Sequence, residues 1–311
     1  MTTGVLVMSY GTPARAEDVA AFYTDVRRGR PPSTEQLADL VRRYDAIGGL
    51  SPLRERTAAQ VAALEAALGA ISPGRYVVRS GMKHADPRIE RAVDELAAAG
   101  AGALVGLVLA PHDSALSVGE YVERATAAAT AQQMRSVFLR SWHDEPALVA
   151  ALAARVRDAA GSLGYDLADA AACERLEVVF TAHSLPARIL QSGDPYPAQL
   201  AETAELVARR CGLTRHRVGW QSAGRTAEAW IGPDILELLP TLAREGAQAV
   251  VVCPAGFTSD HLEILYDLDV DARRLAERLS LGFARTASLN DDPDVFAALA
   301  RRVHALDPGG A

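Results

Sequence analysis

No two cysteines in this 311-residue sequence lie close enough to form a metal or redox motif. Cys173, Cys211 and Cys253 are isolated, which excludes zinc-ribbon spacing, C-x-x-C redox chemistry and an all-cysteine iron–sulfur cluster. Reduced, buried thiols are expected, and with them a cytoplasmic protein. Lysine is nearly absent: Lys83 stands alone among 32 cationic side chains, a usage read here as compositional. No apolar run approaches the ~20 residues that span a bilayer. The N-terminus, Met-Thr-Thr-Gly-Val-Leu-Val-Met, has no basic n-region and turns polar at Ser9, so it reads as a strand and not a signal peptide. The G-x-G-x-x-G and P-loop signatures are missing, which leaves nucleotide binding without a motif. A G-x-S-x-G elbow is missing too, and Ser184 beside His183 cannot face it as nucleophile to base. No low-complexity tract occurs.

What is present is an apolar chain with an acidic balance. Hydrophobic residues make up 49%, enough for a sizeable core, and the formal charge is 32 − 39 = −7. An acidic chain without a basic tract argues against nucleic acid as a partner. Short apolar runs alternate with longer amphipathic patterns, the signature of βα units in parallel sheets. Strands are expected at 4–9, 76–82, 103–109 and 135–141, then at 176–182, 216–221, 249–254 and 283–287. Four plus four predicts an α/β fold of two Rossmann-like lobes, each a four-stranded parallel sheet flanked by helices. The boundary falls near 142–145, giving lobes 1–143 and 144–290, with a C-terminal helix in 291–311 expected to pack back on the first lobe. Ser33-Thr-Glu-Gln36 reads as a capping box for a helix ending at Gly48-Gly49. Pro87 and Pro146 are expected in first helical turns, the latter after Asp144 as cap.

Two stretches carry more chemistry than turns require. His183 closes the run Leu176-Glu-Val-Val-Phe-Thr-Ala-His183, at the strand end where open α/β sheets place ligands. There it is either a structural hydrogen-bonding group or one that handles a proton or a metal. Glu263, Asp267 and Asp271 follow the 249–254 strand and are expected on one face of an α-helix opening at 259 or 260. An acidic helix start accounts for Glu263 but not for Asp271; a carboxylate path for a divalent cation such as Fe²⁺ accounts for all three. Tyr10 ends the first strand, either packing under its loop or facing the same opening as His183. Arg27, Arg28, Arg30 and Arg43, with Ser51, Lys83 and Tyr121, form either a solvated cationic edge or a rim for an organic polyanion.

Taken together these stretches resemble the ferrochelatases, and within them the coproporphyrin type. The matching segments are Val7-Met-Ser-Tyr10-Gly-Thr-Pro13, Arg27-Arg-Gly-Arg30, Arg43-Tyr-Asp-Ala-Ile-Gly-Gly-Leu-Ser51-Pro, Gly81-Met-Lys-His84, Leu109-Ala-Pro-His112, Ala182-His-Ser-Leu-Pro186, Gly193-Asp-Pro-Tyr-Pro197, Gly219-Trp-Gln-Ser222 and Asp260-His-Leu-Glu263-Ile-Leu-Tyr-Asp267. The resemblance implies two chelatase-like lobes around a porphyrin cleft. It implies insertion of Fe²⁺ into coproporphyrin III to give coproheme, with two protons released, in heme biosynthesis. The alternatives are a protoporphyrin IX ferrochelatase, a chelatase for another tetrapyrrole, and a non-catalytic tetrapyrrole or iron carrier. His183 and Glu263 then take catalytic roles; these two with Asp267, Asp271 and Tyr10 contact the metal. Tyr10, Arg27, Arg28, Arg43, Ser51 and Tyr121 contact the porphyrin. Aspartate at 271 departs from the glutamate common in relatives. The short basic segment 27–32 favours the four propionates of coproporphyrin over the greasier protoporphyrin edge. Iron enters as substrate. No iron–sulfur cluster is expected, since no cysteine follows Cys253. The expected partners are coproporphyrin III, Fe²⁺ and, transiently, the upstream oxidase and downstream coproheme decarboxylase, around a monomer.

Overall fold

The structure, a computed structural model, describes residues 2–169, 171–224 and 226–308. Its strands are β1 (Thr2–Ser9), β2 (Tyr76–Met82), β3 (Ala101–Val108), β4 (Arg135–Leu139), β5 (Leu176–His183), β6 (His216–Gln221), β7 (Ala249–Cys253) and β8 (Gly282–Arg285). All pair in parallel, in two sheets of order β2-β1-β3-β4 and β6-β5-β7-β8. The two halves thus repeat one wiring. All eight expected strands are present; β4 stops two residues short of the expected end. The helices are α1 (Val19–Val26), α2 (Thr34–Ala46), α3 (Leu53–Ile71), α4 (Ile89–Ala98), α5 (Val118–Ala131), α6 (Pro146–Ser162), α7 (Tyr196–Cys211), α8 (Ile235–Arg244), α9 (Arg273–Arg278) and α10 (Pro293–Leu306). A π-helix, Ile264–Ala272, precedes α9.

Period-two alternation along the buried strands explains the layering. Val5 and Val7 of β1 point into a core shared by both lobes, built with Leu64 and Leu68 of α3, Leu152 and Val156 of α6, Phe180 of β5 and Phe296 of α10. Leu6 and Met8, on the other face, pack with Ile89, Val93 and Leu96 of α4. In the second sheet Val179, Val250 and Val252 pack outward on Leu239 and Leu242 of α8 and Ile264 and Leu268 of the π-helix. Side chains of this size each stabilise the fold by about 1.5–3 kcal/mol when fully buried. The C-terminal helix α10 lies along α3 and also touches α6 and β4. Residues 309–311 of the expected C-terminal segment lie outside the described residues.

Local signals account for most helix ends. Ser33 accepts from the Gln36 N–H while the Gln36 side chain accepts from the Ser33 N–H, a complete capping box. Gly48 and Gly49 stop α2 with φ of 88° and 129°. Two expectations are corrected. Pro87 follows a cis peptide bond and lies outside α4, whose cap is Arg88. Glu145 and not Asp144 caps α6, although Pro146 does open it. Among the described residues no helix is long and apolar enough to cross a membrane.

Candidate functional site

The site lies where the carboxyl ends of the two sheets meet. β5 delivers His183 and β1 delivers Tyr10, the residue after Ser9. The Tyr10 loop is bound tightly to the segment after β2, through Lys83 N–H to Ser9 O at 2.9 Å and His84 N–H to Tyr10 O at 3.0 Å. The next residue, Gly11, has φ +87°, and a Cβ there would stand 2.8 Å from Ala85 Cβ. Only glycine allows this turn at that approach.

His183 Nδ1–H donates to the Ser184 carbonyl, which fixes the tautomer and leaves Nε2 as the chemically available nitrogen. Nε2 lies 3.5 Å from Glu263 Oε1. His261 answers from the other side: its Nδ1–H donates to Ser259 O at 3.0 Å, and its Nε2 lies 3.5 Å from Glu263 Oε2. One carboxylate therefore sits between two imidazoles, each held by a backbone carbonyl. The Tyr196 hydroxyl donates to the His183 carbonyl at 3.0 Å, and the His183 ring centroid lies 6.4 Å from that of Trp230 and 6.5 Å from that of Phe257.

The charges are strongly coupled. Burial opposes protonation of His183, but Glu263, the Ser184 carbonyl and Asp267 outweigh it and raise its pKa to about 9. Glu263 is held well below the ordinary glutamate value: burial works against its charge, and His183 and His261 overcome it. The resting pair at neutral pH is imidazolium and carboxylate. Asp267 moves the opposite way, to about 6, because of burial and then the Glu263 charge. Its oxygens meet Ser222 Oγ at 2.5 Å and Arg43 Nη1 at 3.4 Å, the latter a contact between lobes. Tyr10 is 42% exposed, with its ring 4.6 Å from that of His84 and 6.3 Å from that of Phe22. Burial and the Glu263 charge both raise its phenol above the usual tyrosine range, so it is a neutral hydroxyl.

The carboxylates lie on a different helix from the one expected. The first turn closes as an α-turn, Leu265 N–H to His261 O at 2.9 Å, and the winding then widens into the π-helix. It ends with Arg273 N–H on Leu268 O, five residues back. Four-residue spacing keeps side chains on neighbouring positions in either winding, so the sequence pattern could not separate them. π-Turns often mark functional segments.

The structure brings together His183, Glu263, Asp267, Tyr10 and Arg43, the last also 4.9 Å from the Tyr266 ring centroid. Asp271 is partly buried and makes no hydrogen bond or ion pair among the described residues. Among those residues no set of three His, Cys, Asp or Glu side chains is arranged to hold a metal ion. Arg28 is exposed and pairs with Glu120 at 3.2 Å; Glu120 also meets Lys83 at 2.5 Å. Arg27 and Arg30 bond each other's carbonyls at 3.2 and 3.4 Å. Ser51 is buried at the foot of α3, where its Oγ accepts from Leu53 N–H at 3.3 Å, leaving its own proton to donate. Tyr121 is 5% exposed in the outer core, with Lys83 Nζ 5.3 Å from its ring centroid. Sequence reasoning did not single out His261, Ser222, Trp230, Phe257 or Tyr196 as site residues. His261 could have been found by its place two residues before Glu263, and Ser222, at φ +60°, by the matching segment that it closes.

Two parallel four-stranded sheets of one wiring, flanked by helices, are the fold of solved chelatases. SirB from Bacillus subtilis with Fe³⁺ superposes with a TM-score of 0.61 at 15% identity, over 99% of this chain and 97% of that one. CbiX, the terminal enzyme for biosynthesis of siroheme in denitrifying bacteria, superposes at 0.57 with 16% identity, over 97% and 98%. At such identities the likeness is one of fold. Sequence carries the assignment further: the ferrochelatase family model matches residues 2–306, and the chain belongs to the ferrochelatase family. It is 41% identical over 300 residues to coproporphyrin III ferrochelatases of Geobacillus sp. (strain WCH70) and Bacillus subtilis (strain 168), covering 96% of this chain and 95% of each relative. It is 42% identical over 322 residues to a ferrochelatase of Thermus thermophilus, covering 98% and 99%.

Proposed function

We propose that the protein inserts Fe²⁺ into coproporphyrin III, forming coproheme and releasing the two pyrrole protons. The observation that carries this reading is the His183–Glu263 pair at the lobe junction, with Tyr10 facing it from β1. Metal insertion needs a proton acceptor near the pyrrole nitrogens and ligands that hold iron briefly and then release it. A cation arriving beside Glu263 would reverse the preference that keeps His183 protonated, so the imidazolium proton passes to solvent, to which the side chain is 35% exposed, and Nε2 is freed. Asp267 and Asp271 then form the approach for iron, a string of single carboxylates from which the ion is readily released. The names of the relatives and the arginine-rich rim at Arg27, Arg28 and Arg43, with Ser51 and Tyr121, support four propionates as the recognised groups. Residues 1–143 would carry this propionate side, 144–290 the metal side, and 291–311 would brace the first lobe.

Anaerobic incubation with Fe²⁺ and either coproporphyrin III or protoporphyrin IX, followed by absorbance, tests the reading. Turnover with coproporphyrin that disappears in His183→Ala is expected. Stoichiometric porphyrin binding without metallation would refute it, and equal use of both porphyrins would refute the rim argument.

A further inference from the structure

Gln60 is fully buried on α3, a helix of the first lobe, yet both of its amide hydrogens are spent on the second. Its Nε2 donates to Thr258 O at 3.2 Å and to Asn290 O at 3.0 Å. These carbonyls belong to two separate loops, one leading from β7 to the π-helix and one from β8 to α10. Asn290 N–H also donates to Thr258 O at 2.8 Å, so the three groups form one knot. Asn290 has φ +48° there, and its side chain clasps Asp260 at both ends: Oδ1 accepts from Asp260 N–H at 3.1 Å, and Nδ2 donates to Asp260 Oδ2 at 3.2 Å. Ser288 and Arg285 complete the grip on Asp260 at 2.8 and 3.2 Å. Three residues further on is Glu263. A second tie crosses the lobes nearby, Thr258 Oγ1 to Leu109 O at 3.2 Å.

We infer that Gln60 is a positioning residue for Glu263: the first lobe sets the placement of the carboxylate that the second lobe carries. The inference rests on the iron-insertion reading. A buried amide with both donors committed is directional, and losing it leaves buried carbonyls short of a partner. Of the two acceptors, Thr258 O keeps the Asn290 N–H, whereas Asn290 O loses the donor described here, so its loop is the one released. Asp260 moves with that loop, and Glu263 with Asp260. The same helix has Ser51 at its foot, so one rigid rod links a candidate substrate contact to the carboxylate loop.

The test is steady-state insertion by wild type, Gln60→Leu and Gln60→Glu, with thermal melts of each. Leucine keeps the volume and removes both donors; glutamate keeps the shape and gives one donor only when protonated. For Gln60→Leu the expected result is a kcat lower by about ten- to a hundredfold, the scale of a misplaced reacting group, with KM for the porphyrin unchanged. For Gln60→Glu the expected result is activity that recovers relative to wild type as pH falls, since carbonyls facing a buried carboxyl raise its pKa. A folded Gln60→Leu enzyme with wild-type kcat would overturn the inference. So would a loss explained wholly by the fraction unfolded, or a Gln60→Glu to wild-type ratio that ignores pH. An inactive wild type would instead refute the iron-insertion reading, and this inference with it.

Discussion

Replacing Glu263 by glutamine removes one charge from the centre of the site and leaves its shape. At 3.5 Å from His183 Nε2, a unit charge at an effective dielectric constant near 20 contributes about 4–5 kcal/mol. Both side chains are about a third exposed, 35% and 36%, so solvent screening reduces this to about 1–2 kcal/mol. That corresponds to about one pKa unit. In Glu263→Gln the His183 pKa is therefore expected to fall from about 9 by one unit or more, with the Ser184 carbonyl and Asp267 still favouring the protonated ring. A raised histidine stabilises fully below its unfolded value of 6.5 and loses that contribution as pH rises through about 9, so the variant loses it at lower pH than wild type. Titration of the ring signals by heteronuclear NMR, assigned with His183→Gln, measures the shift directly. A His183 pKa that stays the same or rises in the variant would refute the account of the pair as charge-coupled.

The remaining predictions concern the surroundings of the pair. Asp267→Asn is expected to stabilise the fold at pH 7.5 by up to about 2–3 kcal/mol, read as a higher melting temperature. The ionised carboxyl costs stability in full above its folded value of about 6, and the gain should fade as pH falls toward 3.8; a gain independent of pH would contradict this. Gly256→Ala places a Cβ 2.4 Å from Ala182 Cβ and 2.8 Å from Ala182 Cα, one residue before His183. It should cost about 1–3 kcal/mol by overpacking and reduce kcat more than the fold loss explains, as read by urea melts and single-turnover insertion. Phe180→Ala, fully buried on β5 in the shared core, should cost about 3–5 kcal/mol in urea unfolding.

The strands were legible because parallel strands covered on both faces read as continuous apolar runs. Leu104 to Val108 and Val178 to Phe180 leave no other reading, and flanking turns bound them. His183 was legible by position, as the last residue of such a run; Glu263 and Asp267 lie beyond the loop after β7 and were legible by their four-residue spacing. The winding of the Ile264–Ala272 segment was not, since a four-residue spacing suits an α- and a π-helix alike. The buried place of Tyr121 was hidden too, because Lys83 comes to it from the segment after β2, far from α5 in the chain. Ser222, Gln60 and Asn290 owe their roles to partners 45, 198 or 230 positions away along the chain. Side chains of that kind look like ordinary polar residues until the lobes are docked.

The repeated wiring of the two sheets has a mechanical consequence. Tyr10 and His183 cap equivalent strands, one in each half, so neither half alone fixes the width between them. That width is a property of the joint. Ties such as Arg43 to Asp267 and Thr258 to Leu109 act as the screws of a caliper, and substitutions there would regauge the opening without touching either jaw.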